Sequence, residues 1–114
     1  MSSSAATVPV VVPPPDLGRE TLPAFQEQLE VHLGPEAQGP GVVIDLAPVR
    51  FINSTALGYI VTVGKRLAEE ERRIALARPQ KRTERLLQIV GLGAILPRFR
   101  TLPEAQEFVA SPRR

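Results

Sequence analysis

The chain has 114 residues, 43% of them hydrophobic and 23% charged, with a formal net charge of +2. That is one domain's worth, with core enough to fold alone. It has no cysteine and one histidine, His32, which excludes disulfide frameworks, cysteine nucleophiles and zinc sites of the usual kinds.

Residues 1–7 are small and polar and are expected to be a disordered tail. Residues 8–12, VPVVV, read as a strand; Pro9 places it at a sheet edge, where a missing N–H is tolerated. Three prolines, 13 to 15, end it. A helix follows, with Asp16 or Thr21 as its cap and Pro23 in its first turn. Leu22, Phe25, Leu29 and Leu33 form its apolar stripe. Gly34 and Pro35 stop it, and residues 36–41 read as a loop.

Residues 42–46, VVIDL, read as a buried strand, with residues 47–52 leading out of it. From Ser54 the period changes. Leu57, Ile60, Val61, Gly64, Leu67 and Ala68 recur at helical spacing, which leaves Tyr59, Thr62 and Val63 for the outward face. Residues 74–77 read as a third strand and 81–90 as a third helix, ended by Gly91 and Gly93. A poorer fourth strand covers 95–99. Thr101 and Glu104 have capping-box spacing for a last helix. The tail 111–114 is expected to fray.

Strands alternating with helices predict a single α/β domain over residues 8–110. It should hold a small, mainly parallel or mixed sheet of about four strands with about four helices. In such sheets, function collects where strands end and helices begin.

Catalytic signatures are absent. Ser54 has no G-x-S-x-G elbow around it and no neighbouring base. There is no phosphate loop and no G-x-G-x-x-G fingerprint. Asp45, the carboxylate in the central apolar strand, is expected to accept N–H groups of the following loop. The reading is a protein that is not an enzyme and needs no cofactor.

Basic residues gather late: Arg72, Arg73, Arg78, Lys81, Arg82, Arg85, Arg98, Arg100, Arg113 and Arg114. Few aromatics are available for base stacking, so this reads as a solvated face balanced by Glu69, Glu70, Glu71 and Glu84, not as a nucleic-acid surface. No stretch approaches the roughly 18 apolar residues of a membrane span, and MSSSAAT lacks a signal peptide's basic start. A soluble, cytoplasmic protein is expected.

The stretch FINSTALG, residues 51–58, places Asn53, Ser54 and Thr55 where a helix begins. All three are good caps for unpaired N–H groups. The same place suits an added phosphate, because a helix N-terminus accepts anions.

The segment VVIDLAPVRFINSTALGYIVTVGKRL resembles the signature of STAS domains, the family of anti-sigma factor antagonists. That family shows an apolar strand ending in Asp-Leu, a loop, and Asp-Ser-[Ser/Thr]-Gly-Leu-Gly opening a helix. Asp45-Leu46, Phe51-Ile52, Ser54, Thr55, Leu57 and Gly58 match. Asn53 stands at the Asp position and Ala56 at a Gly position. GLGAILPRFRTLPEAQEF is similar to the family's closing segment.

The resemblance implies a regulatory binding module. Its unphosphorylated form would bind an anti-sigma factor that is also a serine kinase, freeing a sigma factor; phosphorylation would release it and a serine phosphatase would reset it. Ser54 is the implied phosphoacceptor, with Thr55 as fallback. Asn53, Ser54, Thr55, Ala56, Gly58, Tyr59 and Thr62 are the implied partner contacts, with the 50–58 loop and the edge near Pro13. A monomer or weak dimer is expected. A STAS-type scaffold that binds its partner without phosphorylation is the alternative. A nucleotide- or metabolite-binding protein using the strand-end crevice is the third.

Overall fold

The computed structural model describes residues 8–34, 37, 39–91 and 95–111. Its elements are β1 (Val10–Val11), β2 (Asp16–Leu17), α1 (Leu22–Glu30), β3 (Gly41–Asp45), β4 (Phe51–Ile52), α2 (Ser54–Glu69), β5 (Arg73–Ala77), α3 (Lys81–Val90), β6 (Arg98–Phe99) and α4 (Leu102–Ala110). Residues 1–7, 35, 36, 38, 92–94 and the last three positions lie outside the described residues, and with them parts of the expected tails, loop and helix stop at Gly93.

The main sheet runs β1-β3-β5-β6 and every pairing in it is parallel. Strand β3 is buried along its whole length. Its side chains divide by period two: Val42 and Ile44 join the cluster built with Phe25, Leu29, Ile60 and Leu67, while Val43 joins Ala105 and Val109. Strand β5 does the same, with Ile74 and Leu76 on one side and Ala75 and Ala77 on the other. Helices α1, α2 and α3 therefore cover one face and α4 the other. Burial on both faces explains why these strands read as unbroken apolar runs.

Two prolines work as ladder acceptors. The Pro9 carbonyl accepts the Val43 N–H at 3.0 Å, and the Pro97 carbonyl accepts the Leu76 N–H at 2.9 Å. Each sits beside a two-residue edge strand, where its missing N–H leaves no gap in the sheet. Gly41 opens β3 at φ 145°, and a Cβ there would stand 1.7 Å from the Arg73 carbonyl oxygen. Only glycine fits that approach.

The start of α1 differs from expectation. Thr21 occupies the cap position of α1 without capping it. Its hydroxyl donates to the Asp16 carbonyl at 2.7 Å and accepts the Gly18 N–H at 2.9 Å, so it ties the preceding loop. At the end of α2, Glu71 takes φ 60°. The Glu71 and Arg72 N–H groups return to Ala68 and Leu67 carbonyls, which closes a Schellman motif on a residue that is usually glycine.

Several arginines expected on a solvated face hold elements together. Arg72, with an 11% exposed side chain, donates to the carbonyls of His32 and Gly39. Arg73 donates to the Phe108 carbonyl at 2.7 Å and lies over its ring.

Candidate functional site

The junction between β4 and α2 is built by a second, miniature sheet. Strand β2 pairs in parallel with β4, Asp16 opposite Phe51 and Leu17 opposite Ile52. The Arg50 and Phe51 N–H groups donate to the Pro15 carbonyl, and the Asn53 N–H to that of Leu17 at 3.0 Å. The proline-rich segment is thus laid beside the loop before α2. Two-residue strands carry no periodicity, so both escaped the sequence reading; the apolar pair Leu17 and Ile52 was the available signal.

Asn53 sits at φ −87° and ψ 170°, extended, and its Oδ1 accepts the Ala56 N–H at 2.8 Å. It is the cap of α2. Ser54 and Thr55 are the first two helical residues; both are exposed, and neither hydroxyl bonds to any described residue. Of the three capping candidates, one does the capping and two hydroxyls stay free.

From Ser54 an exposed strip runs along α2 through Thr55, Gly58, Thr62 and Lys65. Its members recur near the helical repeat, and all but Lys65 are uncharged. Nothing lies within 4 Å of where a Cβ on Gly58 would be, so packing does not demand glycine there. Thr62 bonds its hydroxyl back to the Gly58 carbonyl at 3.0 Å. At the head of the strip Phe51 is 51% exposed, a large apolar side chain left in water.

Three expected residues stand elsewhere. Ala56 is fully buried; its methyl enters the core, and it serves the junction through its N–H alone. Val63 is fully buried too, and Val61 only partly. The apolar stripe of α2 is rotated by about one residue from the expected one, because small and branched apolar residues flank it on both sides. Tyr59 is half-buried, edge-on to Phe25 at 6.2 Å, and donates to Glu30 at 2.8 Å. Burial and the Glu30 carboxylate push its hydroxyl well above the usual tyrosine range. Arg66 completes that brace between α1 and α2.

Behind the junction, Asp45 ends β3 nearly buried. It accepts the Ala47 N–H at 3.1 Å, as expected, and it also takes a two-point pair from Arg78 at 3.1 and 2.6 Å. Burial opposes its ionisation, but Arg78 and the Ala47 N–H outweigh that and hold the carboxyl below its ordinary range. Arg78 reaches it from a left-handed backbone, φ 58°. Among the described residues, no three His, Asp or Glu side chains converge as metal ligands.

The sequence model of the STAS domain matches residues 15–105. The chain belongs to the STAS-domain family. The crystal structure of a candidate anti-sigma factor antagonist from Thermotoga maritima is similar to this STAS domain at a TM-score of 0.72 and 28% identity, covering 88% of this chain and 86% of that one. An NMR structure of the same protein is similar at 0.76 and 25% identity, covering 90% and 82%. No curated protein matches the chain. No helix among the described residues of this STAS domain is long and apolar enough to cross a membrane.

Proposed function

We propose that this STAS domain is an anti-sigma factor antagonist whose partner is an anti-sigma factor with serine kinase activity, and that Ser54 is its phosphoacceptor. One observation carries the reading: Asn53 performs the capping, so the exposed Ser54 hydroxyl at the first position of α2 has no structural duty. A phosphate there gains from the N-terminal end of the helix and leaves the core untouched. The exposed strip from Phe51 to Thr62 supplies an uncharged docking face. A repulsion of about 3 kcal/mol on that face would weaken binding over a hundredfold, enough for a switch. A serine phosphatase would restore the binding form.

Asn53 favours a second reading, a scaffold that binds its partner without phosphorylation, since the carboxylate that the family places beside the serine is absent. Tagged wild type, Ser54→Ala and Ser54→Asp, purified from the native cell and analysed by mass spectrometry, separate the two. The switch requires a serine kinase with wild type and Ser54→Ala and its loss with Ser54→Asp. Equal recovery of one partner by all three would sink the switch and favour the scaffold.

A further inference from the structure

A second surface lies at the carboxyl ends of β5 and β6. It is an open groove of about 1160 Å³ between α3 and the chain at 97–100. Small-ligand pockets occupy roughly 300–1,000 Å³ and enclose what they bind; this one is larger and unroofed.

The groove concentrates charge. Arg78, Lys81, Arg85, Arg98 and Arg100 line it with one carboxylate, Glu84. Set against Glu84 and the Asp45 that holds Arg78, the five cations leave +3, where the whole chain carries +2. The single carboxylate is already neutralised: Arg98 holds Glu84 through two bonds of 2.8 Å and keeps it below the usual carboxylate range. That pair also locks one wall to the other. Among the described residues Lys81, Arg85 and Arg100 have no ion-pair partner.

The unpaired cations stand on both walls. Lys81 and Arg85 are one helical turn apart, about 6 Å along α3. On the facing chain Arg98 is spent on Glu84, so Arg100 is the unpaired cation of that wall among the described residues. A lone phosphate calls for donors converging on one point. The Lys81–Arg85 spacing matches instead an extended peptide, whose alternate side chains share a face at about 6.6–6.8 Å. Pro79 and Pro97 give the groove an apolar lining for a backbone to lie on. Phe99 is the one aromatic side chain lining the groove, and its ring is packed against Phe108 at 5.2 Å and a 37° tilt, so successive bases would find no run of stacking platforms.

We infer that this groove docks an extended acidic segment of a partner protein, with carboxylates at alternate positions. This holds whether or not Ser54 is a phosphoacceptor, since the groove uses none of the α2 strip.

The test is an amide NMR titration of the full chain with a synthetic octapeptide of alternating glutamate and threonine. Inorganic pyrophosphate and an eight-nucleotide oligothymidylate serve as comparison ligands. Saturable shifts at residues 78–85 and 98–100 are expected, with the dissociation constant rising at least tenfold between roughly 50 and 500 mM salt. The double variant Lys81→Ala/Arg85→Ala should weaken binding at least tenfold while the rest of the spectrum stays in place, both side chains being exposed and unpaired. Three outcomes overturn the inference: no saturable shifts in the groove; equal or tighter binding of pyrophosphate or oligothymidylate; or groove shifts that grow with protein concentration alone and include residues 69–71, which would make a second copy's glutamate run the occupant.

Discussion

Asn53 Oδ1 holds the Ala56 N–H at 2.8 Å, and this one bond separates the structural work of the junction from its chemistry. Asn53→Ala should destabilise the domain by about 1 kcal/mol, within the usual 0.5–2 kcal/mol for a lost cap. Ser54→Ala should stay within about 0.5 kcal/mol of wild type, as exposed substitutions do. Urea denaturation of the two variants measures the contrast. A larger loss for Ser54→Ala than for Asn53→Ala would mean that the serine is the cap.

Gly58 stands inside an exposed helix with open space over it. Glycine costs about 0.8–1 kcal/mol there relative to alanine. Gly58→Ala should therefore raise thermal stability by a few degrees, read by calorimetry. If the strip is the docking face, the same methyl should weaken partner binding, read by calorimetric titration. Stability and binding moving in opposite directions is the expected signature; tighter binding by the variant would argue that the partner docks elsewhere.

The Asp45–Arg78 pair should show in the acid limb of stability. The folded carboxyl is held below the ordinary aspartate range, so its contribution is complete above that range and fades as pH falls through the lowered pKa. Glu84, lowered chiefly by its bond to Arg98, acts in the same direction. Asp45→Asn should lose roughly 1–2 kcal/mol at neutral pH, since Arg78 keeps access to water. It should also flatten the fall below about pH 4. Chemical denaturation along a pH series tests this; parallel curves for wild type and variant would assign the acid sensitivity to other carboxylates.

Much of this arrangement was legible before any coordinates. The apolar runs at 42–46 and 74–77 announced strands, the first of them buried, and the change of period at Ser54 marked the start of α2 to the residue. What escaped was carried by pairs that no local pattern records. The β2–β4 ladder joins residues 35 positions apart through two residues on each side. Arg78 meets Asp45 across 33 positions, and the apolar run of neither strand gives a sign of the other. The junction itself was read as three interchangeable caps, because Asn, Ser and Thr share the same chemistry; only backbone angles distinguish the residue that caps from those inside the helix.

The miniature sheet has a dynamic consequence. The amides of Arg50, Phe51 and Asn53 depend on carbonyls of Pro15 and Leu17, not on the central sheet. Exchange of these three hydrogens with solvent should therefore follow the release of the 15–17 segment, as one cooperative unit that opens before the core does. The entrance to α2 would then be a separable foldon: its rigidity is set by a stretch of chain more than thirty residues upstream, and a partner that grips either strand would quiet both.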